Sequence, residues 1–302
     1  MKSKHLITIV GPTAIGKTTL SIKLAQQFNA PIVSCDSRQF YKETTIGTAV
    51  PTREEQAQAP HYFIQDRSIF DDYNVGQFER DALQKINKLF KIHDVIIMVG
   101  GSGLYVDAVL KGLDYFPDVA PEIREQLNID LEEKGLESLQ EQLKNLDTQT
   151  FESIAIDNPH RVIRALEVCI GSGKTYSSFK NKPKALRNFN SLKVGLKADR
   201  EIIYNRINQR VDSMIKEGLL EEAKSVYSHK KLNALQTVGY RELFSFFDGD
   251  VSLDFAIQEI KKNTRRFAKR QITWFKKDEN TLWFDYLDDT EIIIKTLEEK
   301  IS

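Results

Sequence analysis

A short apolar run, His5 to Val10, breaks into Gly11-Pro12-Thr13-Ala14-Ile15-Gly16-Lys17-Thr18 and resumes as an amphipathic helical pattern from Lys17 to Phe28. The octapeptide fits G-x-x-x-x-G-K-[ST] in the strand-to-helix setting that gives the pattern meaning. Its glycines let the backbone curl until its N–H groups face an anionic oxygen, the helix start adds partial positive charge, and Lys17 adds a full one. Thr18 is then the residue placed to hold Mg²⁺. The loop specifies a phosphate or diphosphate site; it does not specify a nucleotide.

The surrounding pattern fixes the architecture that must carry this loop. Apolar runs at Pro31 to Cys35 and Asp94 to Val99 alternate with helical patterns such as Gln77 to Phe90, which reads as βαβ units on a parallel sheet. From Pro117 to about Thr175 the strand signal vanishes, and Leu127, Leu131, Leu136, Leu139 and Leu143 recur at helical spacing. Ten acidic residues against three basic ones between 122 and 157 turn that segment toward water. A Lys-rich connection from Lys180 to Arg187 leads to Leu192–Leu196, a strand returning to the sheet, and a long helix from about Asp199. The expected fold class is therefore α/β: a P-loop NTPase-like parallel sheet core flanked by helices, with a helical insertion domain. The core is discontinuous, over 1–116 and 185–302, and the insertion spans 117–184.

The chain has 302 residues with 43 Lys and Arg against 43 Asp and Glu, so no global charge announces a nucleic-acid or membrane partner. Zero net charge conceals segregation, because residues 258–277 hold eight basic side chains and only Glu259. That stripe reads either as a solvated face or as a track for a nucleic-acid backbone, with Phe267, Trp274 and Phe275 as core rather than stacking platforms. No apolar run reaches the roughly 20 residues of a membrane helix. Met1 to Pro12 lacks the apolar core of a secretory signal, and Cys35 and Cys169 form no disulfide framework or zinc spacing. A cytosolic protein, with both cysteines as small buried hydrophobes, is the expectation. His5, His61, His93 and His229 show no ligand spacing and read as structural or exposed.

Chemistry for a second reactant begins at Asp36-Ser37-Arg38-Gln39, which follows the second strand. In an open α/β sheet, groups at the carboxyl ends of neighbouring strands converge on one crevice, which puts Asp36 beside the P-loop. It reads as a general base or a metal-linked carboxylate, or more simply as a cap. The strand ending at Val99 runs into Gly100-Gly101-Ser102-Gly103, without the acidic residue of an ordinary Walker B strand. This tells against an NTPase that grips Mg²⁺ in the usual way; the glycines instead permit a close approach of ligand or backbone. Arg206 and Arg210 share a helix face, either to reach a leaving diphosphate or to make surface ion pairs with Glu201, Asp212 and Glu217.

These stretches together resemble the tRNA dimethylallyltransferase (tRNA isopentenyltransferase) family. Gly11 to Thr18 is similar to its G-P-T-A-x-G-K-[ST] loop, and Asp36 to Gln39 with Tyr41 to its D-S-x-Q-x-Y segment. Ile46-Gly47-Thr48-Ala49, Pro60-His61-Tyr62, Gly100 to Tyr105, Arg161 with Arg164 to Val168, Val238-Gly239-Tyr240 and Arg270 to Trp274 continue the match over nearly the whole chain. The chain departs from the family pattern at Val50, where lysine is frequent, at Ser102, where threonine is frequent, and at Ala155 to Asn158, where H-P-N-D is frequent. Serine for threonine keeps the hydroxyl.

The resemblance implies transfer of a dimethylallyl group from dimethylallyl diphosphate to N6 of adenosine-37, beside the anticodon of tRNA, with Mg²⁺ and with release of diphosphate. It implies that Gly11, Pro12, Thr13, Ala14, Ile15, Gly16, Lys17, Thr18 and Arg210 hold the diphosphate and that Thr18 holds the metal. It also implies that Asp36 takes the proton from the amine, with Thr13, Lys17 and Arg210 beside it in catalysis. Family positions that touch the anticodon stem-loop match Asp36, Ser37, Arg38, Gln39, Ser102, Arg124, His160, Arg161, Val162, Ile163 and Arg164. The rival readings are a P-loop kinase of small metabolites, an isopentenyltransferase acting on free adenine nucleotides, and a non-catalytic RNA-binding protein. The insertion and the basic helix argue for a large RNA acceptor, and the intact P-loop beside Asp36 argues for catalysis. With no exposed heptad or apolar interface, a monomer is expected.

Overall fold

The computed structural model describes residues 3–180 and 186–301. In chain order the core carries β1 (His5–Val10), α1 (Lys17–Gln27), β2 (Ile32–Ser34), α2 (Arg53–Gln56), β3 (His61–Tyr62), α3 (Val75–Leu89), β4 (Val95–Val99) and α4 (Gly103–Lys111). Three helices follow, α5 (Pro121–Leu146), α6 (Thr148–Ser153) and α7 (Pro159–Ser172). The chain then resumes the core with β5 (Asn190–Lys197), α8 (Arg200–Lys216), α9 (Leu219–Ser225), α10 (Tyr240–Phe247), α11 (Leu253–Phe275), β6 (Thr281–Asp285) and α12 (Thr290–Ile301). The Lys180–Arg187 connection falls largely on 181–185, outside the described residues.

All six strands are parallel, in the order β3-β2-β4-β1-β5-β6. The strands read as continuous apolar runs because both faces of the sheet are covered. Alternate residues feed opposite layers: Ile7, Ile9, Ile97, Val194 and Leu196 enter one cluster with Leu24 of α1, Ile203 and Ile207 of α8 and Leu297 of α12. Leu6, Val10, Val33, Ile96 and Met98 enter the other, with Phe78 and Ile86 of α3 and Val106 of α4. This is a P-loop NTPase-like core, and it puts the ends of β1, β2 and β4 side by side. A third cluster joins α8 to α11 around fully buried Tyr240 and Leu243. The chain divides into two compact units, one formed by Met1–Lys111 with Arg187–Ser302 and the second by Gly112–Leu186. The second unit's own core is Leu127, Leu139, Leu143, Val162, Ile163 and Leu166. There α5 is broken at Gly135, whose φ of 78° leaves the helical region.

His5 opens β1 at 5 % exposure, and neither ring nitrogen has a hydrogen-bond partner among the described residues. Burial lowers its pKa below the usual 6.5, because charging the ring there forfeits hydration. The unfolded chain therefore binds a proton on His5 that the fold resists. Its contribution is fully present above pH 6.5 and is lost as pH falls from there toward the folded pKa. We expect His5→Phe to keep the volume and remove this part of the pH dependence. Urea unfolding between pH 7.5 and 5 checks it, and parallel stability curves for the two proteins would contradict it.

Candidate active site

The loop after β1 is shaped by what surrounds it. Gly11 sits at φ 143°, and a Cβ there would lie 2.8 Å from the Leu196 carbonyl oxygen, so β5 leaves room only for glycine. Gly16 caps α1 at φ 110° and Ala14 lies at φ 64°, both in the left-handed region that turns N–H groups inward. Lys17 Nζ curls over the loop and donates to the carbonyls of Pro12 at 2.8 Å and Gly11 at 3.1 Å. From α8, Arg206 Nε donates to the Ala14 carbonyl at 2.7 Å and Arg210 Nη1 to Thr13 Oγ1 at 3.5 Å. The two arginines thus face the loop, which decides against a purely surface ion-pair helix. Burial lowers Lys17 to about 8, opposed by the nearby Asp36 carboxylate and reinforced by Arg210. Burial lowers Arg210 as well, again opposed first by Asp36. Lys17, Thr18, Arg206 and Arg210 line one cavity of about 450 Å³ with Asp36, Gln39 and His61. Desolvated cations crowded against one carboxylate favour a polyanionic ligand.

Across the crevice, the turn after β2 is built from its own hydroxyls and amides. The Asp36 N–H donates to Ser34 Oγ, and Asp36 Oδ1 accepts from the Arg38 N–H at 3.1 Å, so the carboxylate does close a turn. It also lines the cavity, and the turn aims it there. Ser102 Oγ accepts the Ser37 N–H at 3.1 Å and lies 3.0 Å from Ser37 Oγ. Gln39 Nε2 donates to the Ala49 carbonyl at 2.8 Å, while Arg38 Nη1 donates to the carbonyls of Asn233 and Ala234 at 3.2 Å. Gly100 presses on this turn: a Cβ would stand 2.6 Å from Cys35 Sγ and 2.9 Å from the Asp36 nitrogen. There is no space for a Walker B carboxylate at that position. A second cavity of about 510 Å³ opens on the other side of the turn, lined by Ser37, Arg38, Gly101, Ser102, Phe267, Arg270 and Trp274. The two cavities share Thr13, Asp36, Thr48, Ala49 and Arg210.

The chain is similar to known proteins. The family model described as IPP transferase matches residues 39–278. Proteins named tRNA dimethylallyltransferase are 60 % identical over 304 residues in Flavobacterium psychrophilum and 61 % identical over 305 residues in Flavobacterium johnsoniae, each alignment covering 99 % of both chains. The chain belongs to the tRNA dimethylallyltransferase family. Among solved structures, the full-length tRNA isopentenylpyrophosphate transferase of Bacillus halodurans is 35 % identical with a TM-score of 0.74, over 99 % of this chain and 97 % of that one. A eukaryotic dimethylallyltransferase described as acting on tRNA is 26 % identical with a TM-score of 0.80, over 95 % of this chain and 75 % of that one. Among the described residues no helix is long and apolar enough to cross a membrane.

Several sequence expectations for this tRNA dimethylallyltransferase family member are corrected by the structure. Phe267 and Trp274 are not core: they are 36 % and 39 % exposed and line the second cavity, while Phe275 is buried as expected. Helical spacing marked all three as apolar positions without revealing which turn of α11 lies over open space. Within the insertion, Val162 and Ile163 are buried in its core and offer no side chain to an RNA, whereas His160 and Arg161 are exposed. Arg124 and Arg164 both bind Glu167, at 2.6–2.9 Å, so their charge is partly spent within the unit. Ile15 is buried too, leaving its backbone rather than its side chain to the loop.

Two residues that sequence reasoning gave no role hold the site's walls. Gln271 reaches the P-loop from α11. Glu222 of α9 receives the N–H groups of Thr45, Ile46 and Gly47 at 2.8–2.9 Å and the Tyr240 hydroxyl at 2.6 Å. It thereby fixes the I-G-T-A loop whose Ala49 carbonyl holds Gln39. No local pattern marks Glu222; the visible trace is Gly47, where a Cβ would fall 2.7 Å from the Tyr240 ring. Hydrogen bonds to a charged acceptor are worth about 1.5–3 kcal/mol, so we expect Glu222→Ala to lower stability by roughly 2–3 kcal/mol. A shift of the urea midpoint checks this, and an unchanged midpoint would refute the clamp.

Proposed function

We propose that the chain transfers the dimethylallyl group of dimethylallyl diphosphate to N6 of adenosine-37, beside the anticodon of a tRNA, and releases diphosphate. The observation that carries this reading is the meeting of two cavities at Thr13, Asp36 and Arg210. The first is a cationic cradle suited to a diphosphate. The second is walled by hydroxyls, amides and exposed aromatic side chains suited to a nucleobase drawn out of its stack. The names of the relatives, and the eukaryotic structure described as acting on tRNA, support the same reading.

An allylic C–O bond breaks readily once its leaving group is neutralised. Lys17, Arg210 and the loop N–H groups supply that neutralisation as charge builds on the diphosphate. Adenine's exocyclic amine is a weak nucleophile because its lone pair is delocalised. The Asp36 carboxylate accepts its proton as the C–N bond forms. The donor set fits Mg²⁺ arriving with the diphosphate: Thr18 offers a hydroxyl in the first cavity, Asp36 one carboxylate, and no group of three metal-ligating side chains occurs among the described residues. Bound there, the ion would neutralise diphosphate charge. Ser37, Arg38, Gln39 and Ser102 are proposed to shape the acceptor turn. His160 and Arg161 are proposed to meet RNA on the insertion, where Arg124 and Arg164 order the surface around Glu167. We take the enzyme as a monomer and as cytosolic, the latter in keeping with two buried free cysteines.

The test is incubation with Mg²⁺, labelled dimethylallyl diphosphate and, separately, unmodified tRNA, AMP and ATP. Label on N6 of a tRNA adenosine is expected; label on the free nucleotides, or none at all, would overturn the proposal. Asp36→Asn should cut turnover by roughly 100-fold while leaving tRNA affinity near wild type, as loss of a general base does. Full activity in that variant would remove Asp36 from the role. Lys269 and Arg270 are exposed on α11. If they contact phosphates, replacing both with Ala should reduce the slope of log affinity against log salt by about 1.5, at roughly 0.7–0.9 per contact. An unaltered slope would place the RNA elsewhere.

A further inference from the structure

α11 sends one polar side chain into the interior of the site. Gln271 is 5 % exposed, and its amide makes two bonds in opposite senses. Oε1 accepts the Thr13 N–H at 2.9 Å, and Nε2 donates to the Gly101 carbonyl at 2.9 Å. Only this orientation of the amide satisfies both partners. Thr13 belongs to the P-loop, with Oγ1 at 3.5 Å from Arg210 Nη1. Gly101 precedes Ser102, whose hydroxyl holds the turn that carries Asp36. One buried amide therefore joins the donor-side loop to the β4–α4 turn, whose Ser102 in turn holds the acceptor turn, at the junction of the two cavities.

The fit around it is close. A Cβ on Gly101 would fall 2.1 Å from Gln271 Nε2, so glycine here is the space the amide occupies. One turn further along α11, Trp274 Nε1 donates to Asp107 Oδ2 of α4 at 3.0 Å, and its indole fills the space beside Gly103. The helix is thus tied to the β4–α4 turn through Gln271 and to α4 one turn further on through Trp274, and Gln271 also ties it to the P-loop. The Thr13 N–H is committed to this amide, which leaves diphosphate to the N–H groups further along the loop.

Resting on the reading of the site as one of dimethylallyl transfer, we propose that Gln271 is a positioning residue. It sets the separation between the diphosphate loop and the acceptor turn, and so acts on the transfer step rather than on binding of either substrate. Gln271→Met keeps the length and removes both bonds. Misplacing reacting groups by about 1 Å can cost 100-fold, so we expect kcat to fall about 30- to 100-fold. Affinities for inorganic diphosphate and for an anticodon stem-loop should stay within about threefold of wild type. A kcat within threefold of wild type would overturn the proposal, as would parallel loss of diphosphate affinity and kcat.

Gln271→Glu supplies the readout that a merely structural role would not move, and it serves also if the Met variant does not fold. Its protonated carboxyl has the same donor and acceptor pattern as the amide, whereas the carboxylate cannot donate to Gly101. The ratio of variant to wild-type kcat should therefore rise as pH falls, and a flat ratio would overturn the proposal. Wild-type enzyme run alongside separates the two claims: no transfer by wild type defeats the reading of the site, while normal transfer by wild type and by both variants defeats the role of Gln271 alone.

Discussion

Crowding of buried cations around a single carboxylate is the constraint on which the rest of the site depends. Lys17 and Arg210 both lose hydration in the crevice, and Asp36 is the first acid to oppose this for each of them, joined at Arg210 by Glu55 and Glu217. Burial leaves these cations short of compensating charge, so the crevice favours a polyanion. The same shortage of negative charge serves the reaction, because charge grows on the diphosphate as its bond to carbon breaks. Lys17 is held meanwhile by carbonyls of its own loop, which keeps it in place without neutralising it. Asp36 stands at the edge of this field and lines both cavities.

Such an arrangement is stable only if the walls around it are stiff. The P-loop is gripped from outside by α8 through Arg206 and by α11 through Gln271. The acceptor turn is gripped by Ser102, by Gln39 on the 45–49 loop, and behind that loop by Glu222 and Tyr240. Apart from the Tyr240–Glu222 bond, each of these contacts uses a polar side chain to hold backbone, which fixes loop geometry more closely than apolar packing would. Glycines at 47, 100, 101 and 103 sit where these side chains or neighbouring strands press in. Their absence of side chain is what lets separate segments meet at a few ångströms.

How much of this was legible in the sequence follows from how local each signal is. The strand, loop and helix over 5–28 are contiguous, and β1 and α1 fall where the pattern put them. Asp36 was legible because the carboxyl ends of a parallel sheet open on one crevice, although β4 stands between β1 and β2. The start of α3 moved to Val75, because Asn74 and Gln77 form a reciprocal capping box ahead of the apolar pattern. Gln271 and Glu222 were not legible, since their partners lie 258 and 175–177 residues away and no spacing rule links them. Phe267 and Trp274 were misread for a related reason: periodicity finds the apolar stripe of a helix, but only the packed neighbours decide which part of the stripe is covered.

The points at which the chain leaves and re-enters the core follow from the same division of labour. The chain leaves the core after α4 at Lys111 and re-enters it at Arg187. Arg187 Nε donates to the Val109 carbonyl and Nη2 to the Ala108 carbonyl, both at 2.8 Å, satisfying the end of α4, and Nη2 also pairs with Glu79 at 2.8 Å. Departure and return are therefore fastened to one another within the core. That fastening lets β5 join β1 in register, from His5 opposite Asn190 to Val10 opposite Gly195, despite the long excursion between β4 and β5. Only after β5 is in place can α8 and α11 deliver Arg210 and Gln271 to a loop formed near the chain's beginning. The site is thus a product of long-range closure, and its donor side is completed by residues from the last third of the chain.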